Sequence, residues 1–266
     1  MVNFLDKSEE KISKEFLQNG YIIKKIDDLS SLNWIKKTFS KILQTKRNFK
    51  NISQDQALDE THNHLNKKDL NKFRLDIINK LNLKKELRKK YFNCAKSYLE
   101  LIVGNELVMQ KKINLSIQLP KDNSSLLDVH ADVWSGDSPY EAVAWIPLVN
   151  CFKTKSMYIL PFSKYKKYEK KLFSKKIKNS KNLFNKIKKD LKWLNVKYGE
   201  LIIFNQCLPH GNVVNKTNET RWSMNCRFKS VYSPYADKKI GEFFEPISLK
   251  PISKAAIKYN FPEIKK

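Results

Sequence analysis

The chain has 266 residues and a net charge of +25, from 52 basic and 27 acidic side chains. At 41% hydrophobic and 12% aromatic it holds enough apolar material for a sizeable core, which excludes a disordered basic tail. No apolar run reaches the roughly 18 residues of a membrane span, and the charged start MVNFLDKSEEK lacks the apolar segment of a secretory leader, so a cytoplasmic protein is expected.

Residues 1–105 read as mostly helical. EEKISKEFLQNG places Ile12, Phe16 and Leu17 on one face and stops at Gly20. YIIKKI is a short strand, and SSLNWIKKTFSKILQ opens with serine caps before a 3.6-residue period. The polar stretch 51–66 is expected to be a loop. LNKFRLDIINKLN and ELRKKYFNCAKSYLELIVG follow as two amphipathic helices.

From about 107 the period becomes two. In LVMQKKINLSIQLP, Asn114, Ser116 and Gln118 share one face, with Ile113, Leu115 and Ile117 on the other. Strand-like runs continue through LLDVHADV, YEAVAWIPLV, SMYILP, GELIIFNQ, HGNVV and TRWSMNCRFKSVY, which predicts a sandwich or barrel. A lysine-dense helical segment, 163–192, interrupts them as an insertion at the rim. The tail 233–266, with Pro234, Pro246, Pro251 and Pro262, is expected to wrap the surface irregularly. No internal repeat or linker divides the chain, so 1–266 reads as a single domain: helical support (1–105), β core (106–232) and C-terminal wrap (233–266).

Histidine occurs only at 62, 64, 130 and 210. His130-Ala131-Asp132 is an HxD whose two side chains would point to the same face of a strand. With His210, after GELIIFNQCLP, it makes the two-imidazole, one-carboxylate set that holds Fe(II) on one octahedral face and leaves positions for a cosubstrate and O2. On TRWSMNCRF the residues Arg221, Ser223, Asn225 and Arg227 share a face. A guanidinium and a hydroxyl there suit the far carboxylate of a 2-oxo acid. An acid at 132 supplies the third ligand and favours hydroxylation-type chemistry over halogenation.

The segments HADVWSGDSPYEAVAWIPLVNCFKTKSMYILP and GELIIFNQCLPHGNVVNKTNETRWSMNCRF resemble Fe(II)/2-oxoglutarate-dependent oxygenases of carbohydrate-biosynthesis clusters, the streptomycin-biosynthesis type. More distantly they resemble phytanoyl-CoA hydroxylase-like dioxygenases. FLQNGYIIKKIDDLSSL is similar to the N-terminal strand region of the same superfamily, so the resemblance runs from about 16 to 235. It implies a mainly β fold with supporting helices, a double-stranded β-helix (jelly roll, cupin-like) carrying N-terminal helices and the Lys-rich insertion. It further implies Fe(II) on His130, Asp132 and His210, with O2 as co-reactant, 2-oxoglutarate held by Arg221 and Ser223, and Trp145 beside the cosubstrate. Lys155 and Arg227 rank below Arg221 as carboxylate anchors. The substrate it implies is a small carbohydrate-derived metabolite, with succinate and CO2 as coproducts.

Remaining residues are weighed against plain packing. Trp134, Asp137 and Tyr140 follow the HxD in a loop placed for substrate contact, with Arg227 a further contact. Asn114, Ser116 and Gln118 bind cosubstrate or substrate if their face is inward. His62 and His64 read as solvated loop. The cysteines at 94, 151, 207 and 226 show no CxxC spacing and read as reduced thiols, Cys207 and Cys226 as core packing. The Lys-rich insertion is a solvated face or a lid attracting an anionic substrate. Only five of the 52 basic residues are arginine (47, 74, 88, 221 and 227), and the Lys, Asn and Ile excess fits A/T-rich codon usage. That argues against a dedicated nucleic-acid interface. A nucleic-acid oxygenase or basic binder, a non-catalytic cupin-like sugar-binding protein and a cupin chemistry without 2-oxoglutarate stand as alternatives.

Overall fold

The computed structural model describes residues 4–172 and 180–260. Residues 173–179 of the expected insertion and 261–266 of the expected tail, Pro262 among them, lie outside it.

The elements in chain order are α1 (Lys7–Asn19), β1 (Tyr21–Lys25), α2 (Leu29–Gln44), α3 (Gln54–Asp59), α4 (Thr61–His64), α5 (Leu70–Asn82), α6 (Leu87–Asn93) and α7 (Lys96–Ile102). The β region follows with β2 (Leu107–Gln110), β3 (Asn114–Gln118), β4 (Ala142–Pro147) and β5 (Tyr158–Ile159). Then come α8 (Phe162–Leu172), α9 (Ser180–Ile187), β6 (Lys192–Trp193), β7 (Glu200–Asn205), β8 (His210–Gly211), β9 (Arg221–Ser230), β10 (Phe244–Ser248) and α10 (Pro251–Ile257).

Local chemistry sets the helix ends. Asp6 and Glu9 form a reciprocal capping box on α1, and Gly20 ends it at φ 77°. A Cβ at Gly20 would lie 2.6 Å from Leu208 Cδ1, so glycine also permits close packing. α2 is capped by Asp28 rather than by the expected serines. Its carboxylate accepts from the Ser31 amide and from the hydroxyls of Ser30 and Ser31, which hold its pKa down at about 2.

A larger sheet runs β1-β7-β4-β9-β2-β10, with β3 also on β9, all pairs antiparallel. A smaller sheet, β6-β5-β8, contributes His210 and Gly211 to the same cavity that the larger sheet lines. This is the expected double-stranded β-helix. β9 is its organising strand. Trp222, Met224, Cys226 and Phe228 pack outward among the buried core, while Arg221, Asn225 and Arg227 line the interior cavity. Trp222 is fully buried, edge-on to Phe39 of α2 (5.7 Å) and Phe73 of α5 (6.2 Å), so the helical layer covers the outer face.

Several expectations change. Segment 51–66 is not a loop but forms α3 and α4, because Ala57, Leu58 and Thr61 are buried against β9 and Trp222 Nε1 donates to Leu58 O and Thr61 Oγ1. His62 Nδ1 lies 3.0 Å from Thr220 Oγ1, and the His64 ring packs 5.5 Å from Phe49, so neither belongs to a solvated loop. The single helix expected over 86–104 breaks at Cys94-Ala95 into α6 and α7. The alternating run expected over 107–120 is two strands, β2 and β3, both paired to β9. The tail is not irregular: β10 extends the large sheet on β2, and α10 follows with Pro251 in its first turn.

The insertion is helical in its described part. Tyr168, Leu183 and Ile187 pack on Val129, Tyr158 and Leu160 against the smaller sheet, so one face is buried. All four cysteines are unpaired; Cys94, Cys151 and Cys226 are buried, Cys207 half-buried. No helix among the described residues is long and apolar enough to cross a membrane.

Candidate metal and carboxylate site

The HxD does not lie on a regular strand. His130 forms one isolated antiparallel bridge with His210, and Asp132 starts a 3-10 turn, Asp132–Ser135. Ala131 between them stays extended, so the two side chains still emerge together. One ligand atom from each of His130, Asp132 and His210 falls within 4.8 Å of the others. His130 Nε2 stands 3.7 Å from Asp132 Oδ1, and the two imidazole centroids are 4.4 Å apart.

Burial pushes the His210 imidazole down to about 4, against the pull of Asp132, so it is neutral at ordinary pH. A neutral imidazole is the form that ligates a metal.

These three groups open on a cavity of about 280 Å³ inside the β-helix. Its wall is apolar at Val143, Trp145, Met157, Phe204 and Leu127, and polar at Asn114, Ser116, Asn212, Arg221, Asn225 and Arg227. Cross-strand register explains the layout. Trp145, Asn225 and Asn114 lie abreast on β4, β9 and β3; Ser223 is abreast of Ser116, and Arg221 of Gln118. Asn114 Nδ2 donates to Asn225 Oδ1 at 3.0 Å.

Arg221 is buried at the far end. Its Nη2 donates to Ser116 Oγ at 2.9 Å and its Nη1 to Ser156 O at 3.4 Å. Arg221 Nε, Ser223 Oγ, Gln118 Oε1 and Ser156 Oγ are all buried without a hydrogen-bond partner. An orphaned guanidinium nitrogen and three orphaned oxygens on residues paired or bonded with Arg221 or its strand are costly unless an anionic or polar group completes them. Burial also lowers the Arg221 pKa, the mark of a cation held out of water.

The predicted residues divide. The structure brings His130, Asp132, His210, Arg221, Trp145, Asn114, Ser116 and Arg227 onto one cavity wall. Ser223 and Gln118 are fully buried and absent from the exposed lining, and Gln118 Nε2 donates to Val213 O at 2.6 Å.

Four residues are placed differently from expectation. The buried Lys155 ammonium pairs with Asp59 (3.0 Å) and Glu219 (2.6 Å) and is not part of the cavity wall. Asp137 has a buried carboxylate paired with Arg227 and Lys238, away from the cavity wall. Trp134 is exposed and not part of that wall, and Tyr140 lies exposed on a separate groove with Phe16 and Val103. Sequence reasoning missed Ser156, Met157, Phe204, Asn212 and Gln206. Phe204 and Met157 lay within strand-like runs, but the continuous apolar run of β7 does not mark which of its side chains faces the cavity.

No protein-family model and no curated protein matches the chain. Among solved structures it is similar to EctD from S. alaskensis, crystallised with 2-oxoglutarate and 5-hydroxyectoine, at 13% identity over 88% of this chain and 80% of that one, TM-score 0.56. It is also similar to a non-heme monooxygenase, ThoJ, in a nickel complex, at 14% identity over 92% of both chains, TM-score 0.53. A third is the non-heme alpha-ketoglutarate-dependent carbocyclase SnoK from nogalamycin biosynthesis, at 12% identity over 92% and 97%, TM-score 0.52. At these identities the likeness establishes the fold.

Proposed function

We propose that the chain is an Fe(II)- and 2-oxoglutarate-dependent oxygenase acting on a small, carbohydrate-derived metabolite. The observation that carries this is the pairing of two ends of one cavity. One part has two imidazoles and a carboxylate within 4.8 Å; the other has a buried arginine whose Nε, like the Ser223 hydroxyl on the same strand, lacks a hydrogen-bond partner. A dication and a short dicarboxylate satisfy both ends together. Solved structures that share the fold include a monooxygenase, a carbocyclase and a chain crystallised with 2-oxoglutarate, which supports the reading.

His130 and His210 would hold the metal through Nε2, because each Nδ1 is engaged by a backbone carbonyl, Asp128 O at 2.7 Å and Leu208 O at 2.9 Å. Asp132 would supply the third donor. Arg221 would bind the far carboxylate of 2-oxoglutarate, with the Ser223 hydroxyl turning to complete it. Trp145, Met157 and Phe204 exclude water from the space between. When bound, Fe(II) with 2-oxoglutarate and O2 supplies the oxidant that inserts oxygen at a substrate C–H, leaving succinate and CO2. The Asn114–Asn225 pair retains a donor and an acceptor for a hydroxylated substrate, which supports a sugar-like ligand.

Anaerobic addition of Fe(II) and 2-oxoglutarate is the test. A visible charge-transfer band is expected from the wild type and not from His130→Ala. Absence of the band from wild-type protein, with no succinate formed, sinks the assignment.

A further inference from the structure

A line of charges runs from Asp132 to the C-terminal segment. Arg227 places Nη2 3.3 Å from Asp132 Oδ1 and Nε 3.5 Å from Asp137 Oδ1. The Asp137 side chain, 1% exposed, also accepts from Lys238 Nζ. Gln206 closes the frame from the opposite side. Its carbonyl accepts from the Asp132 amide at 3.0 Å, and its Oε1 accepts from Arg227 Nε at 3.2 Å. Its own Nε2 is fixed by Ser138 O (2.8 Å) and Glu141 Oε2 (2.9 Å).

The two chain segments that carry these groups are pressed together. Ser138 Oγ donates to Pro234 O at 2.7 Å, and the Asp237 amide donates to Gly136 O at 3.2 Å. Gly136 has φ +85°, and a Cβ there would fall 1.9 Å from Asp237 Oδ2. Lys238 further packs over the Phe243 ring, 4.8 Å from its centroid.

We propose that Asp137, Gln206 and Lys238 are positioning residues that restrain Arg227, and through it aim the Asp132 carboxylate at the metal. The C-terminal segment 234–244 is thereby a working part of the metal site. This rests on the metal reading above. The physical reason is competition. A free guanidinium beside a carboxylate forms a two-bonded fork, which would occupy both oxygens of Asp132. With Nε donating to Gln206 and 3.5 Å from Asp137, the side-on edge of the guanidinium is engaged elsewhere, and its contact with Asp132 is from Nη2 to one oxygen at 3.3 Å. Lys238 in turn keeps the Asp137 carboxylate in place; without it, Asp137 is free to follow Arg227.

Position and bare electrostatics predict opposite results at Lys238. Removing a cation near a dication site tightens metal binding if charge alone matters. The frame predicts loosening. Titration of the full chain with Co(II) separates them, read by affinity and by the visible Co(II) spectrum. Lys238→Met is expected to weaken Co(II) roughly 10-fold and change the spectrum, and Lys238→Arg is expected to restore both. Gly136→Ala, which alters no charge, is expected to act in the same direction by displacing the segment. Co(II) binding by Lys238→Met as tight as wild type or tighter, with an unchanged spectrum, overturns the proposal. Wild-type protein that binds no Co(II) overturns the metal reading itself, and His210→Ala provides the non-binding reference.

Discussion

His130 and His210 exchange both of their backbone hydrogen bonds, His130 N to His210 O at 3.0 Å and His210 N to His130 O at 2.8 Å. The two imidazoles are therefore held side by side by main chain alone, and replacing either side chain leaves the bridge in place. In His210→Ala the expected outcome is a preserved circular-dichroism spectrum with metal affinity reduced by more than about 100-fold, beyond the usual cost of losing an outer partner. Metal affinity within 10-fold of wild type would remove His210 from the ligand set.

The neutral state of His210 gives the metal-free protein a pH dependence. Its folded pKa is about 4 against 6.5 in the unfolded chain. Between those values the unfolded state takes up a proton that the folded state refuses. Stability from this group is complete above pH 6.5 and declines as pH falls toward 4, by on the order of 3 kcal/mol at most. Melting temperatures of metal-free protein should fall across this window, and His210→Asn should flatten the decline.

Arg221 and lysine are not equivalent at this position. The guanidinium already spends Nη2 on Ser116 and Nη1 on Ser156 O, and it keeps Nε in hand. A lysine ammonium cannot keep both partners and face a carboxylate. Arg221→Ala and Arg221→Lys should each weaken 2-oxoglutarate by about 10- to 100-fold in equilibrium binding, the scale of one charged hydrogen bond. Both should leave Co(II) affinity nearly unchanged.

The pairing of Lys155 predicts a role in stability rather than in cosubstrate binding. It ties α3 to the turn before β9 through Asp59 and Glu219, and both acids are partly solvent-exposed. Lys155→Met should cost about 1–3 kcal/mol in denaturant unfolding, below the loss for a wholly buried pair. Its 2-oxoglutarate affinity should stay within a few-fold of wild type; a larger loss would return Lys155 to the anchor role.

The parts of the site carried by regular alternation were legible in the amino-acid order. Arg221, Asn225 and Arg227 fall on one face of β9 because a strand alternates, and Asn114 on β3 follows from the same rule, whereas Trp145 was legible only through the family resemblance. The loop after Asp132 was not legible. It turns through a 3-10 segment and a left-handed glycine, which buries Asp137 and turns Trp134 and Tyr140 away from the cavity. The pairing of Lys155 was not legible because its partners lie 96 and 64 residues away in sequence. The helices α3 and α4 were missed because their burial comes from Trp222, a distant residue, and their own composition is polar.

The cavity is graded in depth: Arg221 is 3% exposed, whereas the His130 side chain is 32% exposed. On the proposed reading this gradient imposes a kinetic order. The group that reaches Arg221 passes the metal first, so 2-oxoglutarate enters before the substrate that covers the mouth, and succinate departs only after the product has gone. Succinate is then expected to inhibit competitively against 2-oxoglutarate, the oxidised product competitively against neither, and saturating substrate added first should slow 2-oxoglutarate binding in stopped flow.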